Sequence, residues 1–158
     1  MPAVDQLVCF ALYAANRTTT QAYRALLEPW NLTYPQYIAL VTLWNDGDQT
    51  VGSLGEALQL DSGTLSPMLA RMESAGYLTR SRRADDERVV SVTLTARGTE
   101  LRTELAHIPR CIAAGSGITD ADSARELIDA LHQLTEAMKG LRDHPDEVRD
   151  ADAARHPA

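Results

Sequence analysis

Residues 58–98 read LQLDSGTLSPMLARMESAGYLTRSRRADDERVVSVTLTARG, and the hydrophobic period of this stretch changes at Gly76. Before Gly76, Leu65, Leu69 and Met72 recur at helical spacing, which predicts a helix over about 62–75 closed by the glycine. Thr64, Pro67, Arg71 and Ser74 share a different face of that helix. A shorter helix over about 52–58 precedes it, joined through Leu60, Asp61 and Ser62. After Gly76, residues 77–83 and 88–94 read as strands, with Val90, Val92 and Leu94 on one side and Asp85, Asp86 and Glu87 at the tip. Helix, tight turn, helix and hairpin follow one another without a gap.

The flanking sequence is helical. Residues 4–28 read as one long helix, with Val4, Val8, Ala11, Ala15, Ala22 and Leu26 near helical spacing and Pro29 as its stop. Pro35 suits the first turn of a second helix whose stripe is Tyr37, Leu40, Val41 and Trp44, ended by Asp46, Gly47 and Asp48. Beyond the hairpin, Thr95 is placed to cap a helix carrying Leu101, Leu105, Ile108 and Ile112, which Pro109 should kink. Thr119 with Asp122 resembles a capping box for a last helix, where Leu127, Leu131, Leu134, Met138 and Leu141 keep a heptad rhythm. The charged, apolar-poor residues 143–158 read as an acidic frayed tail. The expected fold is mainly α with a small β-hairpin wing, a winged helix-turn-helix lobe over 30–94 inside a single domain over 1–142.

Composition narrows the function classes. The 158 residues are 44% hydrophobic and 23% charged, which suits one globular domain and excludes a disordered or fibrous chain. No run approaches the ~18 consecutive apolar residues of a membrane span, so a soluble cytoplasmic protein is expected. Cys9 and Cys111, the only cysteines, fit neither a disulfide scaffold nor a CxxC motif. His107, His132, His144 and His156 lack metal-ligand spacing and no glycine-rich phosphate loop occurs, so no metal or cofactor is expected. The net charge of −7 argues against nucleic acid only if charge is evenly spread. It is not: residues 71–97 hold six arginines against four acids, whereas residues 119–158 hold five basic residues against ten acids.

Each part of the central stretch has a use on B-form double-stranded DNA. The 62–75 helix fits the major groove, where Ser62, Thr64 and Ser66 offer hydroxyls and Arg71 a two-pronged donor. Arg80, Arg82 and Arg83 of the hairpin suit phosphates, and Arg88 suits the minor groove with Asp85 or Asp86 fixing its guanidinium. Read singly, these are also ordinary solvated surface residues.

Residues 58–98, and LDSGTLSPML within them, resemble the winged helix-turn-helix of the MarR family of bacterial transcriptional regulators. With LTYPQYIALVTLW at residues 32–44 and an N-terminal cysteine, the chain is similar to the organic-hydroperoxide-sensing, OhrR-type branch over residues 5–141. The resemblance implies a homodimeric repressor, not an enzyme, on an inverted-repeat operator, with helices 5–28 and 95–141 serving dimerisation. It also implies an organic hydroperoxide as effector, Cys9 as the peroxide-reactive cysteine, and Tyr13, Tyr23 and Tyr34 as its associated tyrosines. Cys111 is the candidate resolving cysteine, with a low-molecular-weight thiol as the alternative.

On one straight helix Cys9 and Tyr23 lie ~21 Å apart, so a partner chain must bring them together, whereas Tyr13 is a same-chain neighbour one turn on. Phenolic O–H donors and a position early in a helix both favour a thiolate, the nucleophilic form. The competing reading makes Cys9 an inert core residue and the tyrosines ordinary packing. Three other functions stay open on the residues alone: a repressor released by a reversible phenolic ligand, a thiol peroxidase, and an interaction module whose helices only clamp a dimer.

Overall fold

The computed structural model describes residues 3–83, 86, 88–146 and 149. Seven α-helices and a three-stranded antiparallel sheet occur among them, and the chain divides into two compact units, Met1–Ile112 and Ala113–Ala158.

In the first unit α1 spans Val8–Leu27 and runs into a 3-10 turn at Glu28–Trp30. The expected single helix over residues 4–28 is broken, because Leu7 is extended and separates α1 from a 3-10 turn at Val4–Gln6. Apolar periodicity continues across Leu7 and hides the break. Asn31 then takes a left-handed conformation, φ 51°, and α2 covers Tyr34–Asp46. The Gln36 side-chain oxygen accepts both the Thr33 backbone N–H (2.8 Å) and the Thr33 hydroxyl (3.1 Å), tying down the start of α2.

Helices α3 (Val51–Leu58) and α4 (Ser62–Ser74) form the helix-turn-helix, followed by β2 (Leu78–Arg82) and β3 (Val90–Leu94). The hairpin expectation understated the sheet: Gln49–Thr50 forms a further strand, β1, so the order is β1-β3-β2. Two residues with no apolar alternation are too short for a pattern to reveal. Register pairs Leu78 with Leu94 and Arg80 with Val92 across β2 and β3.

Helix α5 (Ala96–Glu104) is capped by the Thr95 hydroxyl, which accepts the Gly98 N–H at 3.0 Å. The expected kink at Pro109 is instead a break before it, and α6 covers Ile108–Ser116. Pro109 falls in the first turn of α6, where its missing N–H would have found no intrahelical acceptor anyway. The core of this unit is Leu27, Leu40, Leu43, Leu54, Leu65, Leu69, Met72, Leu78, Val92, Leu101, Leu105 and Ile108. It gathers one face of each helix against the inner face of the sheet.

The second unit is built on α7 (Ala121–Asp143). Its N-cap is Asp120, not Thr119: the Asp120 carboxylate accepts the Ser123 N–H at 2.8 Å and the Ser123 hydroxyl at 2.9 Å. An aspartate one residue closer to the helix is the stronger cap. No residue of α7 is buried, and Leu127, Ile128, Leu131, Met138 and Leu141 are exposed. The tail beyond His144 lies largely outside the described residues.

Candidate functional site

Helix α4 sorts its residues as expected. Leu65, Leu69 and Met72 are buried, together with Met68, which the sequence reading passed over, while Ser62, Thr64, Ser66, Pro67 and Arg71 are exposed. Asp61 caps the helix: Oδ1 accepts the Thr64 backbone N–H at 2.9 Å and Oδ2 accepts the Thr64 hydroxyl at 3.1 Å. These two bonds hold the Asp61 carboxyl below its ordinary value, the backbone one contributing most. Asp61 was legible only as part of a connector, although an aspartate immediately before an apolar-periodic run is a cap signal.

One wing arginine turns back toward α4. Glu73, at the end of α4, accepts the Arg80 backbone N–H at 2.8 Å, its Nε at 2.9 Å and its terminal nitrogen at 2.8 Å. Those contacts, the backbone bond first, hold the Glu73 carboxyl below its usual range. Arg80 thus ties the wing to α4. Arg82, at the end of β2, and Arg83 just beyond it are exposed. At the tip, the Asp86 carboxylate accepts the Arg88 backbone N–H at 3.0 Å. A two-residue separation is the geometry of an Asx turn, in which the side chain satisfies the backbone of its own loop. Asp85 lies outside the described residues.

Cys9 occupies the second position of α1, within the turn whose amides lack intrahelical acceptors, and its residue is exposed. The chain does not bury it in a core. Tyr13, one turn on, is exposed as well, with its ring 6.3 Å from that of Phe10. Tyr23 sits toward the other end of the same unbroken helix, stacked 4.3 Å from Tyr34 and 5.8 Å from Tyr37 between ring centroids. Burial first, and the neighbouring phenols second, push Tyr23 above its ordinary value of 10.0, so it stays a neutral O–H donor at neutral pH. Tyr37, assigned from the sequence only to the apolar stripe, completes this aromatic cluster. The structure therefore joins Tyr23 to Tyr34 and leaves Tyr23 about four helical turns along α1 from Cys9. Cys111 is exposed on α6.

Beside the cluster, an open cavity of about 680 Å³ is lined by the end of α1, the connection to α2 and the start of α2, including Arg24, Glu28, Thr33 and Tyr34. Among the described residues no cluster of three or more His, Cys, Asp or Glu side chains could hold a metal ion, and no helix is long and apolar enough to cross a membrane.

A family model described as "Transcriptional regulator SarA/Rot" matches residues 21–105. The "Organic hydroperoxide resistance transcriptional regulator" of Bacillus subtilis (strain 168) is 43% identical over 135 residues, covering 85% of this chain and 91% of that protein. Among solved structures, reduced AbfR bound to DNA, a protein of Staphylococcus epidermidis, superposes with a TM-score of 0.71 at 33% identity, covering 83% of this chain and 91% of that one. Disulfide-formed AbfR superposes with a TM-score of 0.59 at 33% identity, covering 86% and 90%. With its winged helix-turn-helix geometry and these likenesses, the chain belongs to the MarR family of transcriptional regulators, in the branch of the organic hydroperoxide resistance regulators.

Proposed function

We propose that this regulator is a homodimeric repressor that binds an inverted-repeat operator through α4 and its wing, and leaves it when an organic hydroperoxide oxidises Cys9. The observation that carries the redox reading is the placement of Cys9. It is exposed in the first turn of α1, with Tyr13 one turn on, while Tyr23 is held ~21 Å along the same unbroken helix. Antiparallel packing of two α1 helices brings Tyr23 of one chain to Cys9 of the other. An exposed cysteine fits a reactive thiol better than an inert core residue. The likeness to a DNA-bound protein that also forms a disulfide supports both halves of the reading.

The chemistry balances without a cofactor. The Cys9 thiolate attacks the terminal oxygen of R–O–OH, the O–O bond breaks, and the products are the Cys9 sulfenic acid and an alkoxide that takes up a proton. A second thiol, that of Cys111 or of a small molecule, then displaces the sulfenic hydroxyl as water and leaves a disulfide. Formation of that bond moves the helices on which the two α4 helices are mounted, and their spacing no longer matches the operator.

Gel shifts with and without cumene hydroperoxide test this. Cys9→Ser is expected to bind operator as the native chain does and to stay bound in peroxide. Cys111→Ser, on non-reducing gels, is expected to lose the intersubunit disulfide if Cys111 resolves and to keep its response if a small thiol does. Peroxide-induced release persisting in Cys9→Ser would remove Cys9 from the sensing role.

The cavity beside Arg24 and Tyr34 supports a second reading, release by a reversible phenolic ligand. Operator release by salicylate-like compounds in Cys9→Ser, with no response to peroxide in the native chain, would select it.

A further inference from the structure

We propose that the hydrogen bond from the Thr64 hydroxyl to the Asp61 carboxylate sets the polarity with which α4 reads DNA, selecting a base that offers an amino group in the major groove. The inference rests on the reading of α4 as the DNA-contacting helix.

The argument is one of proton direction. A threonine hydroxyl has a single proton to donate and two lone pairs to accept with, whereas an ionised carboxylate only accepts. Asp61 lies within 3.1 Å of the Thr64 hydroxyl, so that proton is directed at Asp61. The carboxyl is ionised at neutral pH, since the two bonds from Thr64 hold it below its ordinary value of 3.8. Thr64 is exposed in the first turn of α4, so what it has left to show outward is lone pairs and a methyl group. Asp61 beside it, also exposed, presents oxygen lone pairs alone.

Two adjacent acceptor-only groups discriminate sharply among base edges. Adenine and cytosine carry amino donors in the major groove, whereas guanine and thymine place carbonyl acceptors at the corresponding position. An acceptor facing an acceptor leaves both unpaired and repelling, so the amino bases are selected. Ser62 and Ser66 carry no comparable constraint: neither hydroxyl has a side-chain or backbone acceptor among the described residues, and either can turn to donate. Arg71 lies seven residues further along the same face, ~10 Å on, and is a donor only. The face thus runs from accepting at its N-terminal end to donating two turns later, and a half-site complementary to it is asymmetric.

Asp61→Asn reverses this polarity with little change in shape. Asparagine is as good a cap as aspartate, and its carbonyl oxygen can still accept the Thr64 N–H. Its amide nitrogen then stands where Oδ2 stood and donates to the Thr64 hydroxyl, freeing the hydroxyl proton to point at the DNA. Thr64→Val keeps the shape of the side chain and removes the polarity altogether.

The experiment is selection of a randomised 30-base-pair duplex pool by the reduced native chain, by Asp61→Asn and by Thr64→Val, with helix content followed by circular dichroism. The native chain is expected to enrich adenine or cytosine at one position of each half-site. Asp61→Asn is expected to move that position to guanine or thymine, and Thr64→Val to flatten the preference there by roughly tenfold while other positions hold. Folded variants that enrich the same base as the native chain, with the same strength, overturn the proposal and leave DNA binding standing. A native chain that enriches no sequence overturns the DNA reading itself, and this inference with it.

Discussion

Tyr23 shows how one side chain is prepared by its neighbours. Burial first, and packing on Tyr34 and Tyr37 second, raise its phenol, so Tyr23 is a donor and not a competing base, the form that the proposed contact with the partner's thiolate requires. Hydrogen bonds to charged groups contribute ~1.5–3 kcal/mol, and 1.4 kcal/mol is a factor of ten. Tyr23→Phe is therefore expected to slow Cys9 oxidation by about tenfold or more in stopped-flow measurements with cumene hydroperoxide. Operator affinity of the reduced protein should be unchanged. An equal rate in this variant would show that the phenol does not touch the thiolate.

Between elements, the wing is fixed at both of its ends. Near its base, Gly98 in the first turn of α5 lies so close to the Tyr77 carbonyl that an added Cβ would stand 1.9 Å from that oxygen. The Tyr77 carbonyl also accepts the Thr95 N–H at 3.1 Å, and the Trp44 indole N–H donates to the Gly98 carbonyl at 2.9 Å. Nothing there can retreat cheaply. Gly98→Ala is expected to lower stability by ~2 kcal/mol or more, read as an earlier thermal transition. Toward α4, the hold of Glu73 on Arg80 is pH-dependent. The Glu73 carboxyl titrates below its ordinary 4.5 in the folded chain, so its contribution is complete above that value and is lost as pH falls through the lowered one. Glu73→Gln should abolish that acid loosening of the wing, followed by hydrogen exchange of β2 amides between pH 5 and pH 3, and should weaken operator binding several-fold at pH 7.

For the molecule as a whole, each compact unit leaves apolar surface uncovered. In the first, Val4, Leu7, Val8, Phe10 and Tyr13 are exposed; in the second, Leu127, Ile128, Leu131, Met138 and Leu141 are exposed along α7. A second copy of the chain is the occupant that the proposed function requires. Leu131→Asp is expected to shift the protein from dimer to monomer in light scattering and to abolish high-affinity operator binding, because two half-sites must be held at one spacing. What the sequence settled about this protein is whatever depends on periodicity and local chemistry: the helix-turn-helix, the hairpin with its arginines, the Thr95 cap, the helical placement of Cys9. These are properties of a few consecutive residues, and 3.6-residue and two-residue periods report them directly. The two-residue strand β1, the break at Leu7, the inward turn of Arg80 onto Glu73, the stacking of Tyr37 on Tyr23 and the direction of the Thr64 proton were settled only when distant or non-periodic residues met in space. Each depends on a partner's position, and composition and spacing carry no information about that.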